Sequence, residues 1–291
     1  MNNKSSSEII QSLVLKAKKA QSIFENYNQN QVDEVITAVA WTLCKPSNNK
    51  KISNLAVSET GLGNPEDKIL KNRRKTLGLL RDLKNIKTVG VINEDKEKGI
   101  IEIAKPVGIV AAVTPSTNPA ATPINNIINA LKGRNSIIVS PSPAGSKVFR
   151  DLLILINNEL KKIGAPENLI QTFDCDVTKE LTNELMKNVD LVIVTGSLNN
   201  VREAAKSGTK AIGVGQGNVT SIVDETADLE DAFKKIKMSK TFDNATSCSS
   251  ENNLILIEDI YEKAINLLSK ENAVLLNKNQ KEVLQKNLWI D

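Results

Sequence analysis

The sequence contains no histidine, few aromatic residues and no long apolar run. Without histidine the chain cannot supply a Ser-His-Asp or Cys-His nucleophile system, and three scattered cysteines without a CxxC pair predict no metal site. An odd number of distant cysteines argues against a disulfide framework and predicts a reducing, cytoplasmic environment. No run approaches the ~18 apolar residues of a membrane span, and the N-terminus lacks the apolar core of a secretory signal, so we expect no membrane association.

The remaining composition is ordinary for a globular protein, with 40% apolar and 25% charged residues among 291. This length suffices for a large core and for two lobes. The net charge of +4 is mild. The lysine-rich runs at 71–75 and 233–240 lack interleaved aromatic residues and a nucleic-acid motif. We therefore interpret them as solvated helix faces and expect no nucleic-acid partner.

Apolar periodicity outlines the fold. Residues 10–17 and 32–43 have helical spacing, and the stretches 87–92 and 99–106 around a charged turn predict a β-hairpin. Apolar strands then alternate with helices, with strands predicted at 107–115, 135–140, 190–196 and 210–215. This alternation predicts a mostly parallel sheet covered by helices on both faces, an open α/β layout of the dinucleotide-binding type.

Cys248 is the candidate reactive thiol. It lies in "SKTFDNATSCSSEN" (239–252), among small polar residues, whereas a buried structural cysteine usually has apolar neighbours. Cys44 lies on a predicted helix and is expected in the core. Cys175 lies between two aspartates, whose negative charge disfavours a thiolate.

Polar turns follow three predicted strands at their carboxyl ends, where sheets of this kind bind ligands. They are "TPSTNP" (114–119), "SPSPAG" (140–145) and "TGS" (195–197). In the first turn, the Asn118 amide is suited to donate to a developing oxyanion, and capping of the following helix is the alternative. "GVGQG" (213–217) lacks GxGxxG spacing and a following helix, which favours a plain turn over a phosphate-binding loop.

Taken together, these segments resemble the aldehyde dehydrogenase superfamily, in its CoA-acylating branch. The resemblance rests on the Cys248 segment together with "KPVGIVAAVTPSTNPAATPINNIINALKGRNSIIVSPSP", "VDLVIVTGS" and "GTKAIGVGQGNV". With "SETGLGNPEDKILKNRRKT" (58–76), it is most similar to acylating sulfoacetaldehyde dehydrogenases, followed by acylating succinate-semialdehyde and acetaldehyde dehydrogenases. The resemblance implies a three-layer, Rossmann-type NAD(P)-binding domain over 1–241 and the start of an incomplete catalytic domain over 242–291.

The resemblance also implies roles for matching residues. Cys248 would be the nucleophile, and Asn118 with the backbone N–H of Cys248 would hold the oxyanion. The implied partners are NAD or NADP as cofactor, a short-chain aldehyde and CoA as co-substrate. The implied cofactor-binding residues are Thr114, Pro115, Ser116, Pro141, Ser142, Gly196, Ser197 and Gly215. Lys147, beside a segment without acidic residues, favours tolerance of the 2′-phosphate of NADP.

Two departures from the family pattern bear on function. Hydrolysing members carry a glutamate that activates water, and Gly213 stands at that position, which favours transfer to a thiol such as CoA. Family members also continue past residue 291 with the rest of the catalytic lobe and a strand used in homo-oligomers. The chain is therefore expected to be a truncated form with an exposed apolar face, for which the homo-oligomer of full-length members is not assumed. An inactive cofactor-binding fragment, one half of a split enzyme and a reductase acting on an acyl phosphate are the alternatives.

Overall fold

The computed structural model describes residues 5–215 and 217–288. The chain divides into two compact units, Met1–Gln216 and Gly217–Asp291. The helices of the first unit are α1 (Ser6–Phe24), α2 (Gln29–Cys44), α3 (Pro46–Thr60), α4 (Pro65–Leu83), α5 (Ala121–Lys132), α6 (Ser146–Lys162), α7 (Lys179–Lys187) and α8 (Leu198–Lys206). Its strands are β1 (Gly90–Asp95), β2 (Ile100–Ala104), β3 (Ile109–Thr114), β4 (Ser136–Pro141), β5 (Ile170–Gln171), β6 (Leu191–Thr195) and β7 (Ala211–Val214).

The central sheet of the first unit has five parallel strands in the order β5-β4-β3-β6-β7. After β3 the chain adds β4 and β5 on one side, then returns to add β6 and β7 on the other. The strand order therefore reverses between β3 and β6, which is the arrangement of a doubly wound α/β sheet. The predicted parallel sheet and α/β fold class are confirmed.

Helices cover both faces of this sheet, and β3 contributes apolar side chains to both faces. Val110 and Ala112 point into a core shared with α2, α5 and α6, whereas Ile109, Ala111 and Val113 point into a second core with α1, α7 and α8. Because side chains alternate between the two faces of a strand, only a continuous apolar run fills both cores. All six residues of β3 are accordingly buried, and the predicted three layers are present.

The N-terminal part contains four helices where the periodicity predicted two. The interpretation of residues 71–75 as a solvated helix face is wrong for Lys71 and Asn72, which are buried on α4. Asn72 Nδ2 donates to Asn49 Oδ1 at 3.0 Å and to Ser53 Oγ at 3.1 Å, both on α3. These buried polar side chains interrupt the apolar pattern of α3 and α4, although Ile52 and Ala56 still pack in the core.

A hairpin follows α4, as predicted. β1 and β2 pair antiparallel, with Gly90 opposite Ala104 and Asp95 opposite Ile100. Ile101 and Ile103 of β2 are exposed. The hairpin thus adds apolar surface to the first unit rather than core.

The second unit is built around two paired strands. Its elements are β8 (Val219–Val223), α9 (Leu229–Thr241), β9 (Glu251–Leu256), α10 (Tyr261–Lys270) and α11 (Lys278–Leu288). β8 pairs in parallel with β9, and Val223, Phe233, Ile260 and Ala264 form a small core beside them.

The boundary between the units differs from the one predicted between residues 241 and 242. β8 and β9 lie on either side of that point and pair with each other, so the compact units divide at 216/217 instead. The assignment of cofactor binding and catalysis to two domains stays a prediction. Ile222 and Ile255, on the two paired strands, are exposed. Within the described part of the chain, no helix has the length and apolar character needed to cross a membrane.

Candidate active site

A cavity of about 500 Å³ opens at the carboxyl ends of β3, β4 and β6 in the first unit. It lies where the strand order reverses, which is where doubly wound sheets bind their ligands. Its volume falls within the range of small-molecule sites, roughly 300–1,000 Å³. Seven of the eight residues predicted to bind the cofactor line it, namely Thr114, Pro115, Ser116, Pro141, Ser142, Gly196 and Ser197. The structure thus brings together three turns that are far apart in the sequence.

Gly215, the eighth of these residues, is not among the residues that line the cavity. It follows β7, and a Cβ added there would lie 2.8 Å from Leu198 Cδ2. Its "GVGQG" segment leads into β8 rather than into a helix, as expected for a plain connection, with Gln216 outside the described residues.

Three capped helical starts border the cavity. Ser142 Oγ accepts a hydrogen bond from Gly145 N in the 3₁₀ turn that leads into α6. Thr178 Oγ1 caps α7 through Leu181 N at 3.1 Å, and Ser197 Oγ caps α8 through Asn200 N at 3.3 Å. All three cap residues line the cavity. Because helix N-termini carry partial positive charge and free N–H groups, this border suits an anionic group such as the pyrophosphate of a dinucleotide.

Sequence reasoning missed the contribution of α7 and the body of α8. Thr178, Lys179 and Thr182 of the α7 region, and Asn200 and Glu203 of α8, line the cavity. The available signal was the threonine or serine immediately before each helix, which marks an N-cap. Both helices begin at the carboxyl edge of the sheet, and their first turns therefore lie beside the ligand site.

Lys147 does not lie at this cavity. Its Nζ is 2.7 Å from Glu59 Oε1 of α3, and this hydrogen-bonded ion pair raises the pKa of Lys147. The sequence-based preference for NADP through Lys147 therefore has no support in the structure. Of the residues that do line the cavity, Lys179 is basic and Glu203 is acidic.

Asn118 lies in the irregular turn between β3 and α5. Its side chain is 6% exposed, and its Oδ1 has no hydrogen-bond partner within the described residues. The cap position of α5 belongs to Ala120, without a side-chain cap bond, so the alternative of Asn118 as a helix cap is wrong. Oδ1 is an acceptor, whereas the role predicted for Asn118 uses its Nδ2 as the donor, so the role of Asn118 at an oxyanion stays a prediction.

Cys248 lies in the second unit and is exposed. It occupies a turn in which Ser250 N donates to Ser247 O at 3.1 Å, just before β9. The preceding 3₁₀ segment Phe242–Ala245 contains three consecutive left-handed residues, Asp243, Asn244 and Ala245, with φ of 52°, 52° and 59°. A Cβ added at Gly217 would lie 3.3 Å from the carbonyl oxygen of Cys248, so glycine there permits the close approach of two backbones.

The other two cysteines are less accessible. Cys44 is half-buried at the end of α2, where burial raises the pKa of its thiol and the nearby Arg73 guanidinium opposes this with a smaller effect. Cys175 is half-buried against the core formed with α1 and α7. Of the three free thiols, Cys248 is thus the exposed one.

Gly213 lies in β7 and faces α8. A Cβ added at this position would lie 2.7 Å from Val201 Cγ1, well inside the contact distance of two carbon atoms. Gly213, which the resemblance predicts to replace a glutamate, therefore has no room for a side chain unless Val201 moves.

Comparison with known proteins agrees with this arrangement. The model of the aldehyde dehydrogenase family matches residues 2–283. Over 284 residues the chain is 50% identical to the acylating sulfoacetaldehyde dehydrogenase of Cupriavidus necator, covering 98% of this chain and 58% of that protein.

Two solved structures show the same fold. An acetylating aldehyde dehydrogenase from Geobacillus thermoglucosidasius matches with a TM-score of 0.93 at 36% identity, covering 98% of this chain and 63% of that one. The propionaldehyde dehydrogenase of Rhodopseudomonas palustris, solved with bound CoA and an acylated cysteine, matches with a TM-score of 0.85 at 30% identity, covering 99% and 66%.

The chain spans little more than half the length of the curated relative described above. The match itself extends along nearly all of this chain and includes the Cys248 segment. The resemblance to acylating members is confirmed, since the relatives described above are named for acyl transfer or hold CoA. With a family match over residues 2–283 and half of its residues identical to one member, the chain belongs to the aldehyde dehydrogenase family.

Proposed function

We propose that this chain carries the cofactor site and the nucleophile of a CoA-acylating aldehyde dehydrogenase. The reaction converts an aldehyde, CoA and NAD(P)⁺ into an acyl-CoA, NAD(P)H and a proton. The observation that supports it best is the cavity at the carboxyl ends of β3, β4 and β6, which is lined by seven of the eight residues that the resemblance predicts to bind the cofactor. A short-chain aldehyde is the proposed substrate class, and sulfoacetaldehyde is favoured by the 50% identity to the Cupriavidus necator protein.

In this proposal Cys248 supplies the nucleophile. Its thiolate attacks the aldehyde carbon and gives a thiohemiacetal, whose oxyanion accepts hydrogen bonds from the Asn118 amide and the backbone N–H of Cys248. When bound, a nicotinamide cofactor would supply a hydride acceptor, so that the adduct on Cys248 could be oxidised to a thioester. The same two donors then stabilise the oxyanion formed when the CoA thiol attacks the thioester, and Cys248 leaves as a thiolate. With Gly213 in place of a general base, water is not activated to compete with CoA.

The residues around the cavity fit a nicotinamide dinucleotide. The capped starts of α7 and α8, with Ser142 before α6, offer an environment suited to its pyrophosphate. Thr114 Oγ1 is buried without a hydrogen-bond partner among the described residues, which leaves it available to a polar group of the ligand. We further propose that the protein acts in the cytoplasm, where its three free cysteines would stay reduced.

A second candidate is a nucleotide-binding fragment that does not turn over alone, or one half of a split enzyme. It is favoured by the exposed apolar residues Ile222 and Ile255 on β8 and β9. Exposed apolar side chains on paired strands are suited to further packing. This candidate predicts nucleotide binding without acyl-CoA formation until a complementary polypeptide is added.

The experiment measures binding and turnover separately. NAD⁺ or NADP⁺ at millimolar concentration should raise the melting temperature of the folded chain by mass action. With sulfoacetaldehyde and CoA present, NAD(P)H should then accumulate, Cys248→Ala should abolish this, and Cys44→Ala should retain it. Absence of a thermal shift with both cofactors would overturn the cofactor site. A shift without turnover would favour the second candidate.

A further inference from the structure

We propose that Lys68 of α4 is a positioning residue, which holds the turn that carries Asn118. The segment 58–76, which resembles acylating members in sequence, receives no role from the catalytic scheme above. The catalytic meaning of Lys68 rests on the proposed function, whereas its contact with the turn does not.

The turn between β3 and α5 needs such a contact because its peptide groups lie outside any strand ladder. Lys68 Nζ donates to the carbonyl oxygen of Thr117 at 3.3 Å. That carbonyl belongs to the peptide group that joins Thr117 to Asn118. Because a peptide group is planar, a hydrogen bond that fixes its carbonyl also fixes the direction of the bond from the peptide nitrogen to the Cα of Asn118. The contact therefore helps to fix the position of the Asn118 Cα, from which the side chain extends.

Further hydrogen bonds between described residues involve the backbone of this turn or of the strand end before it. Thr122 N donates to Asn118 O at 3.4 Å, and Ser142 N donates to Thr114 O at 3.0 Å. Both bonds come from backbone groups next to the turn or from the adjoining strand end. Lys68 differs from them because it joins the turn to a helix 49 residues earlier in the chain.

Helix α4 is itself fixed close to Lys68. Asn64 caps its start by accepting from Asp67 N at 2.9 Å. One turn beyond Lys68, Asn72 is bonded to Asn49 and Ser53 of α3, and Asn49 Nδ2 donates to Ile69 O at 2.9 Å. Hydrogen bonds therefore fix α4 both before and after Lys68 in the chain.

The chemistry of the side chain suits this task. Lys68 is only 3% exposed, and burying an ammonium is unfavourable unless hydrogen bonds compensate for the lost water. The 3.3 Å distance is long for a hydrogen bond, and the positive charge of the donor adds an attraction to the carbonyl that a neutral donor lacks. The desolvation of the Lys68 ammonium is unfavourable, and an apolar side chain would pack at this position without it. A hydrogen bond to the peptide before Asn118 is therefore better explained by positioning than by packing.

Positioning matters because an oxyanion donor acts only within about 2.7–3.1 Å of the oxyanion. A displacement of about 1 Å is enough to cost up to about 100-fold in rate. The loss of one positioning bond should lower kcat roughly 5- to 20-fold, while KM for the aldehyde and cofactor binding change less than about 2-fold. Lys68→Met keeps the length and burial of the side chain and removes the donor.

The first test reads the turn directly and needs no turnover. Threonine precedes asparagine at two places in the sequence, Thr117–Asn118 and Thr182–Asn183. Labelling threonine carbonyls with ¹³C and asparagine amides with ¹⁵N therefore gives two peptide signals, which Asn118→Ala assigns. Lys68→Met should shift the Asn118 signal and leave the Asn183 signal in place. Lys68→Arg, which keeps a donor, should restore much of the wild-type shift.

The matched control is Lys132→Met. Lys132 is equally buried at 3% exposure, bonds to Asp33 and lies at the opposite end of α5. The Lys132→Met substitution should leave the Asn118 signal unchanged. The positioning role would be overturned if the chemical shift of the Asn118 signal did not change in Lys68→Met, or if it changed equally in Lys132→Met. Melting temperatures of all variants show whether each protein is folded.

The second test concerns catalysis. If Lys68 acts through Asn118, Lys68→Met should lower kcat in the wild-type background. In the Asn118→Ala background it should lower kcat further by less than about 2-fold. The positioning role would be contradicted if Lys68→Met lowered kcat by the same factor in both backgrounds. A wild-type chain that binds nucleotide but forms no acyl-CoA counts against the proposed function, and the labelled peptide signals then still decide whether Lys68 holds the turn.

Discussion

Replacing Gly213 by alanine should destabilise the first unit, although alanine is the better strand residue. An added Cβ would lie 2.7 Å from Val201 Cγ1, roughly 1 Å inside normal carbon contact. Overpacking of this kind costs about 1–3 kcal/mol, and removing glycine from a strand returns about 0.5–1 kcal/mol. The net loss is therefore at most about 2.5 kcal/mol, and we expect about 1 kcal/mol because β7 is an edge strand of the described sheet, where neighbours relax more easily.

The assay is thermal or urea unfolding of matched variants. A loss of about 1 kcal/mol lowers the melting temperature by roughly 2–4 °C for a unit of this length. In a Val201→Ala background the steric conflict is gone, and the same Gly213→Ala change should raise stability by about 0.5–1 kcal/mol. The sign of the effect should thus reverse between the two backgrounds.

Gly215→Ala provides a comparison at nearly the same distance. Its Cβ would lie 2.8 Å from Leu198 Cδ2, the far end of a half-exposed side chain that is free to rotate away. Val201, in contrast, is β-branched and restricted on its helix. Gly215→Ala should therefore cost clearly less than Gly213→Ala. An increase in stability on Gly213→Ala in the wild-type background, or the same sign in both backgrounds, would refute the steric reasoning.

Three further predictions concern single positions. At pH 8, iodoacetamide should label Cys248 before Cys44, because burial raises the pKa of the Cys44 thiol and lowers its thiolate fraction; mass spectrometry that finds the opposite order would contradict this. Ala245→Gly should raise the urea midpoint of the second unit, since a left-handed alanine costs about 1–2 kcal/mol, and an unchanged midpoint would remove the claim of strain. Thr178→Ala should destabilise the first unit by about 1 kcal/mol through loss of the α7 cap, whereas Thr178→Ser should stay near wild type, as checked by calorimetry.

The sheet was predictable because each central strand is apolar over most of its length, with its polar residues at or near the strand ends. The run at 107–115 serves two cores at once, and such a run has few alternative conformations in a soluble chain. The three turns of the site were predictable for a related reason, since the carboxyl ends of parallel strands meet at one edge.

Several failures involve polar side chains whose partners are distant in the sequence, whereas the unit boundary was misplaced because β8 and β9 pair across it. α3 was not recognised, and residues 71–75 of α4 were interpreted as solvated, because the buried residues Asn49, Asn72 and Lys68 interrupt the apolar pattern. Lys147 was misjudged because its partner, Glu59, lies on another helix. The contribution of α7 to the cavity required knowing that its first turn returns to the edge of the sheet.

All residues that line the cavity belong to the unit Met1–Gln216, whereas Cys248 belongs to Gly217–Asp291. A nucleotide at 100 times its dissociation constant would add about 2.7 kcal/mol to the unit that binds it and nothing directly to the other. If the two units unfold in separate transitions, saturation with nucleotide should raise the melting temperature of the first unit and leave that of the second unchanged. In that case limited proteolysis of a saturated sample should cleave the chain first beyond residue 217, so the peptide that carries the nucleophile would have the shorter lifetime.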